Sequence, residues 1–153
     1  MNGLVCVAGT KGAPGTSTLA LALAAVFADR YSSVLIDSDP DGGALAARCG
    51  LPTNPGLVSL AAATRHALDA AEIGRHTQQL QPRLELIAAP PSPAQVSGAL
   101  RTLGAQFAQV MTTDRSIDDV GRLRPGSPSV PFVAAASLTV LVVKPTVDGV
   151  AHA

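Results

Sequence analysis

The segment Lys11-Gly12-Ala13-Pro14-Gly15-Thr16-Ser17-Thr18 constrains the fold of this chain more than any other. A short apolar run, Leu4-Val5-Cys6-Val7-Ala8, precedes it, and a long Ala/Leu segment follows from about Ser17. A glycine-rich turn between a strand and a helix lets backbone N–H groups converge on an anion, with the positive end of the helix dipole behind them. Read this way, the segment is a phosphate-binding loop. Ser17 stands first in the helix, where a hydroxyl would hold Mg²⁺. The residue before it, ordinarily a lysine that reaches the phosphates, is Thr16. A lysine stands instead at the loop entrance, Lys11. Gly12, Pro14 and Gly15 are also compatible with an ordinary strand-to-helix turn.

Two further segments carry acidic residues at strand ends. Val34-Leu35-Ile36-Asp37-Ser38-Asp39-Pro40-Asp41-Gly42-Gly43 is an apolar run that closes on a D-x-D-P sequence. Asp-Pro-Asp-Gly is strong turn chemistry in its own right, so Asp37 and Asp39 have a plain structural reading as well. Ile117-Asp118-Asp119-Val120-Gly121-Arg122-Leu123 places two carboxylates after a short apolar start, and both are equally readable as surface charges.

Taken in order, the three segments resemble the ParA/MinD group of P-loop ATPases, whose loop reads roughly K-G-G-x-G-K-[ST]-[ST]. The match is at Lys11, Gly12, Gly15, Ser17 and Thr18; the departures are Ala13 and Thr16. The Asp37–Gly43 stretch is similar to the family's second-strand motif. Ile117–Leu123 is similar to its Walker B strand end and switch, and Leu138–Lys144 with Pro145 to the next core strand. The likeness is nearest to MinD-like proteins of high-GC actinobacteria, many of which carry a small residue where the loop lysine should be.

That resemblance implies a three-layer α/β sandwich with a mainly parallel sheet, a P-loop NTPase of the SIMIBI-like kind. Residues 1–153 would be the N-terminal portion of a longer family domain, incomplete at the C-terminus. It implies ATP and Mg²⁺ as cofactors, with Gly12, Ala13, Pro14, Gly15, Thr16, Ser17 and Thr18 around the nucleotide. Ser17 would be the magnesium ligand and Asp119 would hold the metal through water. Lys11 would reach across a homodimer to the partner's phosphates, and Asp39 would orient the attacking water. The implied function is an ATP-dependent dimerisation switch in partitioning, septum positioning or a related process of cell organisation, acting on an unidentified protein partner. Phosphoryl transfer depends on charge compensation, so Thr16 in place of lysine implies weak or absent ATP hydrolysis. The same departure supports a rival reading, a pseudo-ATPase scaffold that binds partners without turnover. A third reading is a dinucleotide-binding domain, because Asp37 lies 22 residues after Gly15, near the ~20 of a ribose-binding acid. The missing G-x-G and the Ser17-Thr18 hydroxyls count against it.

Composition bounds the rest. A chain of 153 residues with 47% hydrophobic and 3% aromatic content builds one Ala/Leu/Val core. Eleven basic residues balance eleven acidic ones, so no global field draws the chain to nucleic acid. The nine arginines are scattered singly and read as solvated surface charge. Cys6 and Cys49 lack metal or disulfide spacing and fit a reducing cytoplasm. Leu19–Ala28 has some likeness to a signal-peptide core, but the second motif follows at βαβ spacing. No run approaches the ~20 apolar residues of a membrane span. His66, His76 and His152 are isolated and expected to face solvent.

Along the chain the pattern predicts strands at Leu4–Ala8, Ser33–Asp37, Leu84–Ala89 and Leu138–Val143. Helices are predicted at Ser17–Arg30, Gly42–Cys49, Gly56–Ala71, Ser129–Ala136 and from a Ser92 N-cap to about Gln109. The polar Thr112–Ser116 stretch sits awkwardly before a central strand and leaves that strand's length and register open.

Overall fold

Residues 3–11, 13–64 and 68–151 are described in the computed structural model. The alternation of short apolar runs with Ala/Leu segments folds as a βαβ series. The strands are β1 (Gly3–Gly9), β2 (Ser33–Asp37), β3 (Gln78–Gln81), β4 (Leu84–Ile87), β5 (Arg115–Arg122) and β6 (Leu138–Val142). They lie in one sheet in the order β3-β4-β2-β5-β1-β6. Every pairing is parallel except the β3–β4 edge, which is antiparallel.

Helices cover both faces, as a parallel sheet requires. On one face α1 (Thr16–Ala28) packs through Ala20, Ala24 and Ala28, joined by Leu45 and Ala46 of α2 (Leu45–Cys49). Small alanines let α1 approach the sheet closely, against Val7, Leu35 and Ile117. The stretch with a likeness to a signal-peptide core is therefore the first crossover helix.

The other face carries α3 (Leu57–Ala63), α4 (Ala70–Gly74), α5 (Pro93–Met111) and α6 (Val130–Ala135). Leu57, Leu60, Ile73, Leu100, Leu103 and Phe107 bury against Leu4, Cys6, Ile36 and Ile87. Phe107 and Phe132 meet edge to face, ring centroids 5.5 Å apart. Each fully buried Leu or Phe contributes about 1.5–3 kcal/mol of transfer free energy. Pro93 opens α5 as expected, although Ser92 makes no side-chain cap bond; Gly104 breaks the helix with φ +56°. A last helix, α7 (Val147–Ala151), follows β6.

Three expectations need correction. The Gly56–Ala71 stretch is two helices, with Asp69 capping the second by accepting the Glu72 N–H at 2.8 Å. Strand β3 was not expected, because Gln78-Gln79-Leu80-Gln81 has no apolar pattern; it pairs only with β4, at the edge. The awkward polar stretch divides between a turn after α5 and the start of β5. There Arg115 lies 4.3 Å over the Tyr31 ring and Ser116 is buried. Strand β5 then runs through Asp118 and Asp119, pairing β2 on one side and β1 on the other.

Candidate functional site

The carboxyl ends of β1, β2 and β5 converge on the loop after β1. Alternation along β5 sends Asp118 and Asp119 to opposite faces. Asp119 faces α1, opposite Val7 and Asp37 in register. Its Oδ1 accepts a hydrogen bond from the Gly121 N–H at 3.2 Å, and the Ser17 side chain lies near enough to lower its pKa. Burial pushes its carboxyl up, while the Ser17 side chain, the Gly121 N–H and the charge of Arg48 pull it back. Directly after Asp119 the register slips between Val7 and Ala8, so that Ala8 pairs with Gly121 and Val120 bulges. Bulges of this kind re-aim a strand end.

Above this floor lies a cavity of about 250 Å³, lined by Gly9, Thr10, Ala13, Gly15, Thr16, Ser17, Asp39, Arg48, Gly121 and Arg122. Helix α1 begins at its edge with no side-chain cap, so its first-turn amides have no partner of that kind. Gly15 takes φ +94° at the N-cap, in the range that glycine adopts without cost. Gly9 is needed for another reason. A β-carbon there would sit 2.6 Å from Thr16 Oγ1, so the first strand passes hard against the loop. Thr10 Oγ1 is buried without a hydrogen-bond partner. Uncapped amides, an unused hydroxyl and two guanidinium groups in one polar recess suit a multiply charged anion.

Asp39 stands on the other wall. Its Oδ1 accepts the Asp41 N–H at 2.9 Å, and Asp41 pairs with Arg124. Burial pushes its carboxyl up, with the charges of Asp119 and Asp41 adding to the effect. A hydroxyl from Ser17 beside the Asp119 carboxylate is a hard-oxygen donor set of the type Mg²⁺ takes. Among the described residues no cluster of three or more His, Cys, Asp or Glu side chains forms a metal cage.

Of the expected site residues, Ala13, Gly15, Thr16, Ser17 and Asp39 line the cavity, and Asp119 lies beneath it through Ser17. Lys11 and Pro14 are exposed on the loop and do not line it. Thr18 faces outward and accepts a hydrogen bond from Arg48 Nη1 at 3.0 Å. Gly12 lies outside the described residues, as do His66 and His152. Thr10, Arg48, Gly121 and Arg122 had not been singled out for the site; an isolated Arg or Thr carries no spacing signal. Asp37, the ribose-binding alternative, is fully buried and accepts the Leu45 N–H at 3.0 Å. His76 is also unlike its expectation. Its side chain is 14% exposed, held between Ser59 and Glu72.

Asp118, on the opposite face, is wholly buried, bonded by the Ser38 hydroxyl through Oδ1 and unpartnered at Oδ2. Burial drives its carboxyl well above the usual range. The neighbouring Cys6 thiol is raised by burial and by Asp118, which leaves it a small core hydrophobe. A larger cavity, about 460 Å³, opens at the amino ends of the strands between Ser33, Glu85 and Arg115. Open α/β sheets bind ligands at the carboxyl ends instead, where the loop lies.

Comparison with known proteins bears on the fold. Neither a family model nor a curated protein matches the chain. Solved structures do. McdA from Cyanothece in complex with ATP superposes with a TM-score of 0.74 at 19% identity, covering 97% of this chain and 59% of that one. A ParA family ATPase from Chlorobium tepidum gives 0.73 at 18% identity, covering 99% and 65%. The fold is that of the ParA-type P-loop ATPases. The kinase domain of the Escherichia coli tyrosine kinase ETK shares it, with a TM-score of 0.69 at 19% identity over 92% of this chain and 55% of that one. One fold thus serves a ParA family ATPase and a tyrosine kinase domain, so function has to be argued from the site. The chain spans about 60% of the length of the first McdA structures it matches.

Proposed function

We propose that this chain is a ParA-like nucleotide-binding protein that takes Mg²⁺-ATP in the cavity at the head of α1. The observation that carries the reading is the polar recess at the uncapped start of α1, lined by Ser17, Thr16, Thr10 and two arginines, with the Asp119 carboxyl beside Ser17. In that arrangement the α1 amides, Thr10 and Thr16 hold phosphate oxygens. Ser17 ligates the metal and Asp119 supports it through water. A bound Mg²⁺ would neutralise phosphate charge and fix the phosphate geometry. Asp39, which lines the same cavity, orients the attacking water in this reading.

Lys11, exposed at the loop entrance, suits a contact to phosphates bound by a second copy. The finer reading is therefore an ATP-dependent dimerisation switch, of the kind used in partitioning, septum positioning or related cell organisation. The ATP complex of McdA supports the nucleotide part of it. Thr16 offers a neutral hydroxyl where a lysine would meet the phosphates, so hydrolysis is slow or absent. That same residue favours the second reading, a scaffold that binds partners without turnover.

Titration with ATP, ADP and NAD separates the readings. Binding of ATP and ADP with NAD silent supports the proposal. Binding of none favours the scaffold, and binding of NAD alone the dinucleotide domain.

A further inference from the structure

The loop is short of a cation at position 16, and the fold brings one in from elsewhere. We infer that Arg48, on α2, is the phosphate counter-ion of this site, taking over charge compensation from the absent loop lysine and selecting polyphosphates over monophosphates. The inference rests on the nucleotide-binding reading above.

Three observations carry it. Arg48 lines the same cavity as Gly15, Thr16 and Ser17, although it stands 30 residues along the chain from Thr18. Its Nη1 donates to Thr18 Oγ1 at 3.0 Å, which ties the guanidinium to the first turn of α1. Among the described residues the guanidinium makes that one hydrogen bond, which leaves the remaining donors of the planar fork for phosphate oxygens. Its charge is also felt by Asp119 on the cavity floor.

Backbone geometry holds α2 where this is possible. Asp37 accepts the Leu45 N–H at the head of α2, and Leu45 and Ala46 are buried against the sheet. Position 48 then falls on the exposed side facing α1. Of the other arginines near the mouth, Arg124 is paired with Asp41. Arg122 also lines the cavity, at the end of β5. Arg48 is the one tethered to the loop helix itself.

A guanidinium meeting a phosphate chain forms charge-assisted, often bidentate bonds. In this inference a chain of two or three phosphates reaches past the loop amides to the guanidinium in the same cavity, whereas a monophosphate is held by the loop amides alone. Arg48 therefore matters to ATP and ADP and little to AMP.

The test measures Mg²⁺-ATP and AMP affinity by calorimetry for the wild-type chain, Arg48→Ala and Arg48→Gln. The Gln variant keeps a donor for Thr18 and removes only the charge, so it remains informative if the Ala variant folds poorly. The expected result is a loss of roughly 10- to 100-fold in ATP affinity in both variants, the scale of a charge-assisted bond, with AMP affinity within about twofold. Wild-type binding of ATP with unchanged affinity in Arg48→Gln overturns the inference and leaves the nucleotide reading intact. Equal losses for ATP and AMP overturn it in favour of a purely structural role. A wild-type chain that binds neither nucleotide overturns both the inference and the reading beneath it.

Discussion

A β-carbon built on Gly121 would lie 2.0 Å from the carboxyl carbon of Asp39. The D-x-D-P turn after β2 thus rests directly on bare backbone at the end of β5, where Gly121 takes φ +59°. Any side chain at position 121 meets both a strained backbone and an occupied space. Gly121→Ala should cost about 1–3 kcal/mol in chemical denaturation. Combining it with Asp39→Gly should recover part of that cost, because the clash is shared between contacting residues. Additive losses in the double variant would show that Asp39 does not rest on this glycine.

The carboxyl end of the sheet concentrates four carboxyl groups, Asp37, Asp39, Asp118 and Asp119, each raised chiefly by burial. Asp37 goes from 3.8 to about 7. A raised acid keeps its proton longer in the folded than in the unfolded chain, so the folded state binds more protons between these two values. Stability is then full below about pH 4 for this group and falls as pH rises toward 7. In the absence of nucleotide and metal, unfolding free energy should decline across that window. Asp37→Asn, which keeps an acceptor for the Leu45 N–H, should flatten the decline by an amount on the order of 1 kcal/mol or more. An unfolding free energy that rises steadily from pH 4 to 7 would contradict this placement of the carboxyls.

How much of this was legible in the sequence varies by element. Strands β1, β2, β4 and β6 announce themselves as short apolar runs between turn residues, and Ala/Leu periodicity marks α1. Strand β3 could not be read, because an edge strand of glutamines gains its place from one neighbour rather than from burial. The break after α3 did leave a trace: Asp69-Ala70-Ala71-Glu72 has the spacing of an N-terminal cap. Within the site, the loop and the two acidic strand ends stand out because each combines special residue types at fixed spacing. Arg48 and Gly121 do not. Arg48 gains its meaning when α2 is laid beside α1, and Gly121 when β5 bulges under Asp39. Asp118 misleads, since a carboxylate wholly buried beside Cys6 looks like a surface charge in one dimension.

Lys11 is exposed at the start of the loop and does not line the cavity. If it serves a second copy, sedimentation should show the mass doubling with Mg²⁺-ATP. Lys11→Ala should then weaken that association while leaving the thermal unfolding midpoint within a degree or two, as is usual for an exposed surface substitution. An unchanged mass with ATP present would remove the dimerisation switch from the account.

Thr16→Lys returns a cation to the loop. ATP affinity should rise about tenfold, the scale of one charge-assisted bond. Turnover should rise with it if Asp39 is placed to orient water. Tighter binding without phosphate release would assign the chain to nucleotide sensing, and a phosphate-release assay distinguishes the two outcomes. No gain in affinity would mean that the loop does not cradle phosphate.

The central claim is that Ser17 and Asp119 form a metal-dependent phosphate site. Its most direct test is ATP binding measured by calorimetry with Mg²⁺ and with EDTA, in the wild-type chain and in Ser17→Ala. The account predicts that Mg²⁺ tightens binding at least about tenfold in the wild type, and that this advantage disappears in Ser17→Ala. ATP binding that ignores both the metal and the substitution would contradict it.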